Sequence, residues 1–203
     1  MEYEILDRVL VLKGNFEALS SGANGGRRAV NNILNIQVPH DFSHDAPKSY
    51  IEGVAASMVL EGDCLALLTA VEMKNVRILS DACVTVFVTA GLTNPSSFGT
   101  INIIVISSEA LSEGAIAGTL ITATEAKTRA LIDKGLQFTG TTSDAIIVAY
   151  ENSSEGDPIL YSGPATPFGS RVAKLVRAGV KEALKAYYGT DDVNTWQLSF
   201  HDR

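Results

Sequence analysis

Between Gly99-Thr100 and Ser107 the chain reads Ile-Asn-Ile-Ile-Val-Ile, so both faces of an extended strand would carry branched apolar side chains. Such a strand is expected where the sheet is covered on both faces, which places it inside a layered α/β fold. Ala145 to Ala149 is a second run of the same kind.

The sequence also supplies elements that can provide the cover. Val172, Leu175, Val176, Val180, Ala183, Leu184 and Tyr187 recur at helical spacing, with Lys174, Arg177, Lys181 and Lys185 opposite them and Gly189 as the stop. A longer helix begins after Ser112, whose hydroxyl can cap its first turn, and Gly135 marks its end. Ile51, Val54, Ala55, Met58 and Val59 predict a third helix, stopping near Gly62. Strands are predicted over Tyr3 to Lys13, Cys64 to Val71 and Cys83 to Ala90, with a shorter one at Val76 to Leu79. Gly14-Asn15 predicts a hairpin turn, with Phe16 to Leu19 returning. Arg27 to Ile36, with Val30, Ile33 and Leu34 at helical spacing, reads as a helix opening from the glycine-rich loop at Gly22 to Gly26.

Helices alternate with strands, and neither a long linker nor a shift in composition divides them. The expectation is one α/β domain over residues 1–203, a mixed β-sheet or sheets with packed helices in a layered sandwich. Gly-Thr ahead of an Ile-rich run occurs at Gly99 and again at Gly140, an echo that leaves a duplicated half open.

With 46% hydrophobic and 19% charged residues, a chain of 203 residues can bury one substantial core. Its net charge of -7 argues against nucleic acid as a partner, which selects a basic face. Cys64 and Cys83 lie in apolar segments without metal-ligand spacing and read as small buried hydrophobes of a reducing compartment. The start, Met-Glu-Tyr-Glu, lacks the basic residues and apolar block of a secretory signal. No apolar run approaches the roughly 20 residues that cross a bilayer. These features point to a cytoplasmic protein with no membrane span.

Polar residues gather where apolar segments begin or end: Leu19 to Gly26, Thr89 to Asn94, Gly99 to Asn102, and Gly140 to Asp144. Small hydroxyl and amide side chains at element ends are how α/β proteins usually assemble a site. In the first loop Ser21 and Asn24 could hold a ligand, and the N–H groups of Gly25 and Gly26 could face an anion at a helix N-terminus. A tight turn with no ligand is the equal alternative. Lys127 projects into the apolar stripe of Ile116, Leu120, Ala123, Ala130 and Leu131. It either snorkels past the helix end or is a partly buried cation meeting a carboxylate or a developing oxyanion. Glu125, about 200° away around the helix, cannot share a pocket with it and reads as an i+4 partner of Arg129.

Asp144 follows Thr141, Thr142 and Ser143, where a carboxylate can orient a hydroxyl or a water as general base, or simply bond its own turn. Thr100 and Thr141 are nucleophiles only if a base lies beside them. His40, Asp41, His44 and Asp45 match no zinc signature and read as solvated loop, so no metal site is assigned. His201 sits in a tail expected to fray, and no nucleophile-elbow motif supports a Ser-His-Asp triad.

Taken together, several blocks of the chain resemble the adenosylcobinamide amidohydrolase family, the CbiZ-type enzymes of corrinoid salvage. They are Leu19-Ser20-Ser21 with Asn24-Gly25-Gly26, Leu68-Thr69-Ala70, Val86 through Asn94, Gly99-Thr100-Ile101-Asn102-Ile103-Ile104, Ile121 through Lys127, and Gly140 through Asp144. Their order and spacing hold from about Leu19 to Leu184. Two departures stand out. Only Pro95 to Phe98 intervene where family members often carry a longer insertion, and Gly163 to Gly169 lacks the histidine that some members have before the last helix.

The resemblance implies hydrolysis of the amide joining the corrin propionyl side chain to aminopropanol, turning adenosylcobinamide into adenosylcobyric acid. The cobalt corrinoid is then the substrate, and no further cofactor is implied. Set against that reaction, residue chemistry makes Asp144 the general base, with Thr141 or Ser143 positioning the water. Lys127 and the loop N–H groups near Asn24 would stabilise the oxyanion. Ser21, Asn24, Gly25, Gly26, Asn94, Asn102 and Glu125 complete the candidate set as substrate-binding residues. A bulky corrin needs a wide, partly apolar cleft, and one shared between subunits of a homo-oligomer remains open. A corrinoid carrier or sensor without hydrolysis is the main rival. An acyl-transfer enzyme using Thr100 or Thr141 on another amide or ester is the second, and a purely structural module is the third.

Overall fold

Both apolar runs are strands in the computed structural model, which describes residues 1–43, 45–94, 98–152 and 156–192, apart from the side chains of residues 93, 94 and 98. The elements are β1 (Glu2–Leu6), β2 (Val9–Ser20), β3 (Gly26–Gln37), α1 (Pro47–Ser57), β4 (Cys64–Thr69), β5 (Arg77–Asp81), β6 (Val84–Asn94), β7 (Phe98–Ser107), α2 (Glu113–Asp133), β8 (Ala145–Glu151) and α3 (Pro167–Tyr188). They build one mixed eight-stranded sheet in the order β4-β3-β2-β8-β7-β6-β5, with β1 also paired to β2. The parallel pairs are β3–β4 and β7–β8, and their crossovers carry α1 and α2.

The continuous apolar character of β7 has a direct structural cause. Ile101, Ile103 and Val105 face a core shared with Ile116 and Leu131 of α2 and Val172, Val176 and Val180 of α3. Ile104 and Ile106 face the other way, into a core with Leu10 and Leu12 of β2, Ile33 of β3 and Leu65 and Leu67 of β4. The sheet therefore folds over on itself, its β2–β4 half lying against its β6–β8 half. The outer face of the first half, with Leu34, Ile36 and Ala66, is covered by α1 through the fully buried Ile51. The result is a layered sandwich with a helix layer on each outer face, as the patterning predicts.

The helix ends follow their capping residues. Ser112 accepts from the N–H of Ala115 at 3.1 Å, and Thr166 accepts from the N–H of Gly169 at 3.0 Å. Gly189 closes α3 at φ 72°, a left-handed conformation that glycine adopts without a Cβ clash. Among the described residues no helix is long and apolar enough to cross a membrane.

Three local expectations are corrected. Tyr3 to Lys13 is not one strand: the chain reverses at Asp7-Arg8, and β1 pairs antiparallel with β2. Gly14-Asn15 does not reverse the chain: β2 runs straight through it, with a bulge between Lys13 and Phe16. Before the bulge β2 pairs with β1, and after it with β8, so one side of a long strand serves two partners. Arg27 to Ile36 is strand β3, not a helix. Every residue from Asn32 to Ile36 is buried because helix α1 and the second half of the sheet cover opposite faces. That removes the period-two signature and leaves an apolar spacing that mimics a helix.

Candidate active site

In the parallel register of β7 and β8, Asn102 stands opposite Ala145. Thr100 and Ser143, each two residues earlier, are thereby brought side by side: the Thr100 hydroxyl lies 3.0 Å from the Ser143 carbonyl. Both line a cleft of about 660 Å³. Its other walls are the end of β4 from Leu68 through Val71, the chain leaving β3 from Val38 to Ser43, Gly91 of β6 and Tyr187 of α3. His40 and Asp41 stand exposed within it beside the apolar Val38, Phe42 and Val71.

An ion pair holds the cleft's floor from behind. Lys127 Nζ meets Asp144 Oδ2 at 2.5 Å, and both side chains are less than a tenth exposed. Lys127 is thus the buried cation, not the snorkelling one. The same carboxylate accepts from the N–H of Ile101 at 2.9 Å and from the N–H of Thr141 at 3.0 Å. The Thr141 hydroxyl stands 2.6 Å from Asp144 Oδ1 and 2.7 Å from the Gly99 carbonyl, and Ser143 Oγ donates to that carbonyl at 2.9 Å. One carboxylate therefore ties α2, the turn before β8 and the start of β7 together. Neither Asp144 nor Lys127 is among the residues lining the cleft. With its oxygens taken up by an ammonium, two backbone N–H groups and the Thr141 hydroxyl, and with no place on the cleft wall, the carboxylate is placed for anchoring and not for meeting a water there.

A second buried polar chain runs between the two halves of the sheet. Asn102 Nδ2 donates to Asn35 Oδ1 and to the Leu68 carbonyl, each at 2.9 Å. Asn35 Nδ2 donates to Thr89 Oγ1 at 3.0 Å, and Asn102 Oδ1 lies 3.1 Å from the Thr100 hydroxyl. Asn102 thus supports the cleft from beneath. Asn35 and Thr89 belong to the same network, but the helical reading of β3 hid the first, and Thr89 carries no more signal than its place at the end of an apolar run.

The first glycine-rich loop contributes differently from expectation. It is a turn between β2 and β3, so no helix N-terminus exists there. The Asn24 amide donates to the Cys64 carbonyl at 3.0 Å and accepts from the N–H of Ala66 at 2.9 Å, standing in for a neighbouring strand along β4. Ser21 Oγ accepts from the N–H of Ile146 at 3.0 Å. None of Ser21, Asn24, Gly25 and Gly26 lines the cleft. Glu125 is exposed on α2 in the groove between α2 and α3, away from it, and Arg129 pairs with Asp133 at 2.9 Å instead. The side chain of Asn94 and the residues His44 and His201 lie outside the described residues.

His40 is exposed, as its solvated loop implies, and it lines the same cleft as Thr100 and Ser143, a placement that the sequence does not signal. Among the described residues no three His, Cys, Asp or Glu gather as metal ligands. Cys64 and Cys83 are free and half-buried, burial pushes both thiols up, and neither lines the cleft.

The family model for adenosylcobinamide amidohydrolase (CbiZ) matches residues 8–192. The chain belongs to the adenosylcobinamide amidohydrolase family. A relative named adenosylcobinamide amidohydrolase in Methanosarcina mazei is 45% identical over 196 residues, 91% of this chain and 98% of the relative. Another of that name in Halobacterium salinarum is 34% identical over 185 residues, 82% of this chain and 79% of its own length. A Pyrococcus horikoshii protein of solved structure aligns with 98% of this chain and 85% of its own at a TM-score of 0.48 and 10% identity. The family match takes in both Gly-Thr pairs, the Lys127–Asp144 pair and the whole cleft lining.

Proposed function

We propose that this member of the adenosylcobinamide amidohydrolase family hydrolyses the amide between the corrin propionyl side chain and aminopropanol, releasing adenosylcobyric acid for corrinoid salvage. The observation that carries the reading is the family match over residues 8–192, and the cleft adds a site of suitable chemistry inside the matched region. The cobalt enters with the substrate, and the reading calls for no resident cofactor or metal. The reaction is placed in the cytoplasm, in keeping with two unpaired cysteines.

In this reading the aminopropanol arm enters the cleft while the corrin ring rests at its mouth beside the half-buried Phe42. His40 takes a proton from a water that attacks the amide carbon, and returns it to the leaving nitrogen as the C–N bond breaks. The Thr69 hydroxyl, whose oxygen already accepts from the N–H of Val71, turns its proton to the carbonyl oxygen as charge develops there. Asp144 and Lys127 act as positioning residues, fixing the start of β7 that carries Thr100 and the turn that carries Ser143.

The test is release of aminopropanol from adenosylcobinamide by the purified protein. A His40→Ala variant should lose roughly 100-fold in kcat. Near-normal turnover in that variant removes His40 from the mechanism. Corrinoid binding without release, under conditions where an adenosylcobinamide amidohydrolase is active, returns the chain to a carrier or sensor.

A further inference from the structure

The protons of the two hydroxyls on the cleft floor are already assigned by their surroundings. The Asn102 amide has one possible orientation: its nitrogen meets two acceptors, Asn35 Oδ1 and the Leu68 carbonyl, and a flip would set oxygen against oxygen at 2.9 Å. Asn102 therefore turns its oxygen to Thr100. The other neighbour of the Thr100 hydroxyl is the Ser143 carbonyl, also an acceptor. Whichever of the two it bonds, the Thr100 proton goes to an acceptor of the protein, and its lone pairs are left for a donor that the cleft brings to Thr100. Ser143 Oγ repeats the arrangement, with its proton on the Gly99 carbonyl.

We infer that Thr100 and Ser143 form an acceptor subsite that recognises the N–H of the scissile amide and then the protonated amine of the departing aminopropanol. This rests on the amidohydrolase reading and gives it a direction. With its proton turned inward, Thr100 cannot stabilise an oxyanion or hold a carboxylate without breaking a buried hydrogen bond, whereas the exposed Ser143 hydroxyl breaks a solvated one. Thr100 accepts N–H donors at no such cost. The acyl half of the substrate, which becomes a carboxylate, must therefore lie toward Thr69 and His40, and the amine half toward Thr100. Thr100 is the specificity-determining member, since it is buried to all but 7% of its surface and held on two sides.

The probe is aminopropanol itself, titrated into the whole protein by isothermal calorimetry, with propionate as the carboxylate control. Aminopropanol should bind, and Thr100→Val, which keeps the shape and removes the hydroxyl, should weaken it about tenfold, as expected for one lost hydrogen bond to a charged group. Thr100→Ser should restore it. Ser143→Ala should weaken it by less, and propionate affinity should not change in any of the three. In turnover, Thr100→Val should raise KM for adenosylcobinamide. Unaltered aminopropanol binding in Thr100→Val overturns the inference, as does loss of propionate binding together with that of the amine. A protein that binds aminopropanol through Thr100 but releases none from adenosylcobinamide overturns the hydrolase reading and leaves the subsite standing.

Discussion

Asp144 and Asp133 are both aspartates almost hidden from solvent, and both are surrounded by cations or donors, yet they do different work. Asp144 faces inward: its partners are one buried lysine and donors from the start of β7 and the turn before β8. Asp133, at the end of α2, faces outward. It meets Arg129 at 2.9 Å, Arg177 at 2.5 Å and Lys181 at 2.7 Å, all three more than a quarter exposed. The first organises a cleft, and the second clasps α2 to α3 from the surface. A carboxylate's own burial therefore says less than the solvation of its partners: a buried cation cannot fall back on water, whereas an exposed one can.

The largest expected effect comes from breaking the inner pair. Lys127→Met leaves the Asp144 carboxylate buried without its cation and should cost about 3–5 kcal/mol in urea denaturation, together with most of the turnover. The double variant Lys127→Met with Asp144→Asn should recover a good part of that stability but not the turnover. Should the single variant fall by less than about 1 kcal/mol, the pair is not the buried anchor described here.

Gly140 sharpens the same point. A Cβ there would lie 2.5 Å from both Asp144 Oδ2 and Lys127 Nζ, so the turn packs its backbone directly on the ion pair. Gly140→Ala should destabilise by about 1–3 kcal/mol through overpacking and should lower aminopropanol release as the Ser143 turn shifts. Wild-type melting would mean that the pair has room to move.

The outer cluster should give the smallest change. The guanidinium of Arg177 and the ammonium of Lys181 hold the Asp133 carboxyl well below the usual carboxylate range. A depressed pKa in the folded state contributes stability that is fully present above the unfolded value of about 4 and is lost as pH falls through the folded value. Asp133→Asn should therefore cost less than about 1 kcal/mol at neutral pH, because its partners stay solvated. It should also flatten the loss of stability on acidification, measured by denaturation at a series of pH values below about 5. An unchanged acid limb would assign that loss to other groups.

Much of the layering was legible in residue patterns. The Ile101–Ile106 run announced a strand covered on both faces, and the stripe from Val172 to Tyr187 announced the helix that covers one of them. Ser112 and Gly135 bracketed α2 because capping is a local matter of orphan N–H groups and left-handed backbone. Arg27 to Ile36 was misread for the reason that made Ile101 to Ile106 readable: burial on both faces erases periodicity. A shorter, polar-punctuated run can then imitate a helix. The loop from Gly22 to Gly26 draws attention for its amides, and the fold uses the Asn24 side-chain amide on the open edge of β4.

The sequence by itself determined which residues are apolar, where α2 and α3 start and stop, and that a Gly-Thr pair leads into each of two Ile-rich strands. Local backbone preference and side-chain chemistry act over a few residues, and those few residues are all such features require. Tertiary structure alone decided that Lys127 meets Asp144, that Asn35 reaches Asn102 across the sandwich, and that His40 shares a cleft with Thr100. Those meetings depend on strand order and on a sheet folding over itself, which bring together segments far apart in the chain through packing that no single stretch encodes.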